Sequence, residues 1–279
     1  MARRPTATSA SSGPLIDAHT HPQLPGETPI LGTPHGAEEY LRRSKGLDIR
    51  FVAAFVMAPR ADPARTRALN NKVVALGKEH SGKFLPVCSV HPGDGPEALL
   101  ELDRVAEMGA RAIKLHPNTQ QFDVADPSVS AVVSRATEHR LPVIFDGYSP
   151  FDANQPGKFV QLAMAVPEAR LVLAHAHGPQ FPTLLVYDVL ARYPWWRRNV
   201  WVDLSATAPL LARGPFAEQF AWVCRKVGVD RLIFGSDYPM DEPASAVEAV
   251  ASYGFTRAEM SSILYDNASQ LFGLPARRT

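Results

Sequence analysis

Leu15-Ile16-Asp17-Ala18-His19-Thr20-His21 is an apolar run that turns polar at its C-terminal end, where two histidines stand one residue apart. As a strand, its side-chain period of two puts Asp17, His19 and His21 on one face. Two imidazoles side by side at a strand end form half of a metal site. Taken alone, an H-x-H pair is more often a solvent-facing pair in a loop, because two-residue motifs recur by chance. Its meaning depends on what the other strands carry.

The chain downstream repeats one kind of unit. Apolar runs at 50–57, 84–90, 110–115, 141–145, 170–174, 199–204 and 231–234 follow the first. Helical segments separate them, several opened by a proline in the first turn, as at Asp62-Pro63, Gly95-Pro96 and Asp126-Pro127. The segment 181–193 reads as a helix, and helices near 242 and 256 close the chain. The runs are continuously apolar, as strands buried on both faces are. Eight such units in a chain of 279 residues match the length of a (β/α)8 TIM barrel, predicted over 14–279 as a single domain. A doubly wound open sheet would need fewer strands and a Gly-rich phosphate loop, which the sequence lacks. Residues 1–13, rich in Ser, Thr, Ala and Arg, read as a disordered tail, and 22–36 as a long Pro/Gly-rich loop walling the site.

Bulk composition narrows the function classes. The formal net charge of +1 gives no electrostatic footprint for nucleic acid or an anionic membrane. Apolar runs fall short of membrane-spanning length, and the N-terminus has no secretory apolar region, so a cytoplasmic protein is expected. Cys88 and Cys224 sit in separate apolar segments and read as buried, reduced thiols. The expected partner is a small-molecule substrate, and a symmetric homo-oligomer is the default assembly.

Barrel active sites lie at the C-terminal ends of the strands. There the sequence places His19, His21, His91, Lys114, His116, Asp146, His175, His177 and Asp237. Six of the nine histidines are in this set, whereas surface histidines should scatter over helices and loops. That concentration turns the H-x-H pair into a metal-site prediction.

Asp17-Ala18-His19-Thr20-His21, Lys114-Leu115-His116-Pro117, Leu173-Ala174-His175, Gly235-Ser236-Asp237-Tyr238-Pro239 and the C-terminal Ile263–Ala268 resemble the amidohydrolase superfamily. The closer resemblance is to its amidohydrolase-2 branch, which includes aminocarboxymuconate-semialdehyde decarboxylase, aromatic-acid decarboxylases and lactonases. It spans about 15–274. It implies that His19 and His21 bind a divalent ion, zinc or alternatively manganese. It also implies that Asp237 completes the site and handles the proton of the attacking water, and that His175 activates that water or polarises the substrate.

The chain departs from the branch in three places. Asp146 stands where the branch carries a histidine ligand on the fifth strand, and is expected to replace it. His177 replaces a glycine and is expected to touch substrate, with Lys114, His116 and His91. Structural alternatives are an ion pair for Lys114, a strand-end cap for His91 and a helix N-cap for Asp237. After the seventh strand, 203–208 lack the histidine of the decarboxylases. The reading that follows is a metal-dependent hydrolase of an ester, lactone or amide in a small carboxylated or cyclic substrate. A non-oxidative decarboxylase of an aromatic or muconate-like acid, or a barrel reduced to ligand binding, are the alternatives.

Overall fold

The structure is a computed structural model that describes residues 13–277; the tail predicted over 1–13 falls almost wholly outside them. Strands β1 (Leu15–Thr20), β2 (Ile49–Phe55), β3 (Phe84–Ser89) and β4 (Ala112–Leu115) are followed by β5 (Val143–Asp146), β6 (Leu171–Ala174), β7 (Val200–Asp203) and β8 (Leu232–Ile233). They form one sheet in chain order with every neighbouring pair parallel. A parallel bridge between Thr20 and Tyr238 brings the last strand end back to the first. The result is the predicted (β/α)8 barrel.

Helices α1 (Ala37–Arg43), α2 (Pro63–Glu79) and α3 (Pro96–Glu107) connect the first four strands. Then come α4 (Pro117–Gln120), α5 (Pro127–Glu138), α6 (Gln155–Ala165) and α7 (Leu185–Leu190), with α8 (Thr207–Leu211) and α9 (Ala217–Val227) before β8. Helices α10 (Pro243–Ala251), α11 (Arg257–Ser261) and α12 (Asn267–Phe272) end the chain. The predicted starts hold for local reasons. Asp62 accepts from the Arg65 N–H and Asp126 from the Ser128 N–H, each with proline in the first turn.

Alternate strand residues sort into two apolar layers. Ile16, Ala18, Ala53, Phe55, Leu85, Val87, Ile144, Val172 and Ile233 fill the barrel interior, and Tyr265, Leu271 and Phe272 pack against them at its N-terminal end. Leu15, Val52, Ala54, Cys88 and Ile113 face outward under the helices. Both cysteines are free and buried. Among the described residues no helix is long and apolar enough to cross a membrane.

Two local expectations fail. Residues 181–193 do not form one α-helix: a 3-10 segment runs from His175 to Leu184 before α7 begins. Pro179 and Pro182 remove backbone donors, and positive φ at His175, Ala176, His177 and Gly178 breaks the helical path. In β1, Asp17 pairs with Val52 but Thr20 with Ala54, so three steps on one strand match two on the other. That bulge flips the side-chain parity. Asp17 therefore does not share a face with His19. It points outward, accepting from Tyr40 Oη at 2.8 Å, Ser236 Oγ at 2.7 Å and Ser236 N at 2.8 Å.

Candidate active site

The bulge carries His19 into the barrel, where its ring lies 4.5 Å from that of Phe55. Close approach of β8 to β1 completes the corner: Asp237 N donates to His19 O and His21 N to Tyr238 O. Gly235 makes room for it, since a Cβ there would lie 2.5 Å from His19 Cβ and 2.8 Å from Asp203 Oδ1. The chain then turns through a positive φ of 62° at Asp237, a region aspartate tolerates better than most residues. His19 Nε2, His21 Nε2 and Asp237 Oδ1 form a triangle with sides of 3.1, 3.4 and 3.5 Å.

These three atoms fit a divalent ion. Ligand bonds of about 2.0–2.1 Å in tetrahedral geometry put neighbouring donor atoms about 3.3–3.4 Å apart. The imidazoles are also in the form a metal requires. Burial pulls the pKa of His19 well down, and Lys114, His175 and the neighbouring histidines add to this. Burial lowers that of His21 too, against the opposing pull of Asp237. For Asp237, burial favours the neutral acid, but the His21 hydrogen bond and the charges of His175, His21 and Lys114 outweigh it and hold the carboxyl below its usual range.

Behind the triangle lies a hydrogen-bonded chain that the sequence reading missed. His19 Nδ1 is 2.5 Å from Asp203 Oδ2 at the end of β7. Ser205 Oγ is 3.0 Å from the same oxygen and 3.1 Å from His175 Nδ1. A serine hydroxyl has one proton; given to Asp203, it leaves the oxygen to accept from His175 Nδ1–H. Both imidazoles are then Nδ1–H tautomers, and both turn an unprotonated Nε2 to the site. Burial raises the Asp203 pKa to about 6, opposed by His175, Ser205 and Lys114. Strand-end carboxylates orienting a metal-bound histidine are a recurring arrangement, so Asp203 as the last residue of a buried strand was the available signal.

His175 stands next to the triangle. One ligand atom each from His19, His175 and Asp237 lie within 4.8 Å of one another. Asp146 is outside both sets. Its Oδ2 is 3.1 Å from His116 Nε2 and 3.6 Å from His175 Nε2, and its Oδ1 accepts from Tyr148 N. The carboxylate predicted to replace the missing histidine ligand instead pairs with His116 beside the ion site. Burial lowers the His116 pKa to about 4, more than Asp146 raises it.

Lys114 is buried, its Nζ 5.2 Å from the Phe55 ring centroid. Burial lowers its pKa, opposed by the charges of Asp146, Asp203 and Asp237. Neither of the remaining expectations fits the geometry. His91 accepts from Gly93 N through Nδ1 and bonds Gln120 O through Nε2, so both ring nitrogens cap the local chain. His177 is fully buried, stacked on Phe159 and bonded to Thr183 Oγ1, with its Nε2 unpartnered. Neither ring is open to a substrate.

The amidohydrolase family model (Amidohydro_2) matches residues 16–274. The chain belongs to the amidohydrolase family. The membership anticipated from the strand-end motifs therefore stands. No curated relative matches the sequence. Among solved structures, 5-carboxyvanillate decarboxylase of Sphingomonas paucimobilis is 15% identical, with a TM-score of 0.71 over 95% of this amidohydrolase and 100% of that chain. A probable 2-pyrone-4,6-dicarboxylic acid hydrolase of Acinetobacter baumannii is 17% identical, with a TM-score of 0.66 over 93% and 99%. A 5-carboxyvanillate decarboxylase of Novosphingobium aromaticivorans with bound manganese is 18% identical, with a TM-score of 0.61 over 84% and 80%. At these identities the likeness establishes the shared fold.

Proposed function

We propose that this amidohydrolase is a metal-dependent hydrolase of an ester, lactone or amide. The observation that carries the reading is the convergence of His19 Nε2, His21 Nε2 and Asp237 Oδ1, with two proton-carrying groups and one buried cation around it. These three residues would hold the ion. A divalent ion there supplies Lewis acidity, lowering the pKa of water toward about 7 and polarising a carbonyl oxygen.

The protein groups do the rest. Asp237 is held ionised and can accept the proton of the attacking water. His175, with its Nδ1–H committed to Ser205, offers an unprotonated Nε2 that takes this proton over from Asp237 and gives it to the leaving group. Lys114 places an ammonium in the water-poor interior, where it stabilises the charge that develops on the carbonyl oxygen. Asp146 keeps His116 facing the centre.

Decarboxylation is the competing reading, motivated by decarboxylases among the similar folds. The absence of a histidine after β7, where Ser205 stands, favours hydrolysis. Turnover in 18O-labelled water separates them. With zinc- or manganese-loaded protein, aryl esters and lactones are expected to give acids carrying one solvent oxygen. Release of carbon dioxide from benzoate-type acids, with no ester or lactone cleavage, contradicts hydrolysis. Metal-loaded protein that turns over neither set supports a binding role instead.

A further inference from the structure

The mouth of the barrel is made by the eight loops that leave the strand C-termini: 21–36, 56–62, 90–95, 116–126, 147–154, 175–184, 204–216 and 234–242. The chain has 29 lysines and arginines, yet these loops contain only Arg60 and Arg213, both solvent-exposed. The same loops carry Glu27, Asp62, Asp94, Asp123, Asp126, Asp152, Asp237, Asp241 and Glu242. Helix cations neutralise some of these: Glu27 pairs with Arg65 and Lys72, and Asp123 and Asp152 with Lys158. Among the described residues Asp241 has no such partner, and the Asp237 charge pushes its pKa further up after burial does. Deeper in, Lys114 is the one basic side chain in the cluster of site residues, and it already faces the field of three carboxylates.

Specific capture of a carboxylate normally uses an arginine fork or several cations. A second carboxylate on the substrate would meet no such group here. The loops instead expose large apolar side chains. Ile30 and Leu31 follow β1, Phe151 follows β5, Leu210 and Phe216 follow β7, and Met240 follows β8; Phe151 is 87% exposed. Those are the strands that supply His19, Asp146, Asp203 and the turn to Asp237. Half of the large exposed apolar side chains among the described residues lie in these loops, and apolar side chains around a polar site commonly mark a binding surface.

We propose that the site takes a substrate with an uncharged, apolar body and at most one anionic group, and not a dicarboxylate or tricarboxylate. The inference rests on the hydrolytic reading and adds its substrate class. Lys114 meets the charge that develops at the carbonyl, beside the ion that His19, His21 and Asp237 would hold, and the apolar loop tips take the remainder of the molecule.

Calorimetric binding to zinc-loaded protein tests this with hydroxamates, which reach the metal while the rest of the molecule is varied. 4-Butylbenzohydroxamate is expected to bind at least about tenfold tighter than acetohydroxamate. Replacing butyl by two ring carboxylates is expected to weaken binding at least about tenfold, from lost apolar burial and unpaired charge. A Phe151→Ser/Met240→Ser variant should lose most of the butyl gain and keep acetohydroxamate affinity. Equal or tighter binding of the dicarboxylate overturns the proposal, as does failure of every hydroxamate to bind. So does a variant that changes only the sedimentation of the protein, because the apolar tips would then belong to a contact between copies. Retention of the predicted ranking without hydrolysis in labelled water overturns the hydrolytic reading alone.

Discussion

His19 draws its role from both ring nitrogens. Nε2 belongs to the triangle with His21 and Asp237, while Nδ1 is committed to Asp203. Removing the acceptor should weaken the ligand without touching the ion: Asp203→Asn is expected to lower metal affinity about 10–100-fold by titration against a chelator. Ser205 acts on the other histidine. Ser205→Ala should leave metal affinity within a few-fold but release the His175 tautomer, read as a change in its ring 15N shifts, and Ser205→Thr should restore it. A purely structural role for Ser205 predicts unchanged ring shifts. His19, His21, His175 and Asp237 were legible because each follows an apolar run. Asp203 and Ser205 follow one as well, but their chemistry points sideways into other side chains, and motif spacing carries no trace of that. His91 and His177 satisfied the same positional rule, yet local turns bury their rings. Strand-end position is necessary for this site and not sufficient.

At the scale of elements, the site depends on how β8 meets β1. Gly235 is the position where a side chain cannot be accommodated, because its Cβ would overlap His19 Cβ. Gly235→Ala is expected to destabilise the fold by about 1–3 kcal/mol through overpacking and to displace His19, measured as a lower denaturation midpoint together with reduced metal affinity. Unchanged values for both would contradict the close approach. Proline-led helix starts and apolar strands announced themselves in the sequence because their causes are local. The β1 bulge did not, since it arises from pairing with a strand more than 30 residues away. Strict alternation placed Asp17 beside His19; the extra residue sends it to Tyr40 and Ser236 instead. The start of the segment 181–193 was similarly misread, as Pro182 removes a backbone donor from an apolar helical pattern and leaves 181–184 in the 3-10 segment.

For the whole molecule, eight parallel strands bring to one end residues separated by more than 200 positions, from His19 to Asp237. The barrel follows from the count and continuity of its apolar runs, so the architecture is legible in the sequence alone. The substrate is set by loops of differing length and sequence, which a periodic reading treats as intervals between elements. The account as a whole depends on one ion held by His19, His21 and Asp237. Elemental analysis of protein loaded with zinc or manganese and freed of excess ion tests it most directly. About one ion per chain is predicted, retained in Asp146→Ala and lost in the His19→Ala/His21→Ala variant. No stoichiometric ion in the native chain, or full retention in the double variant, would contradict it.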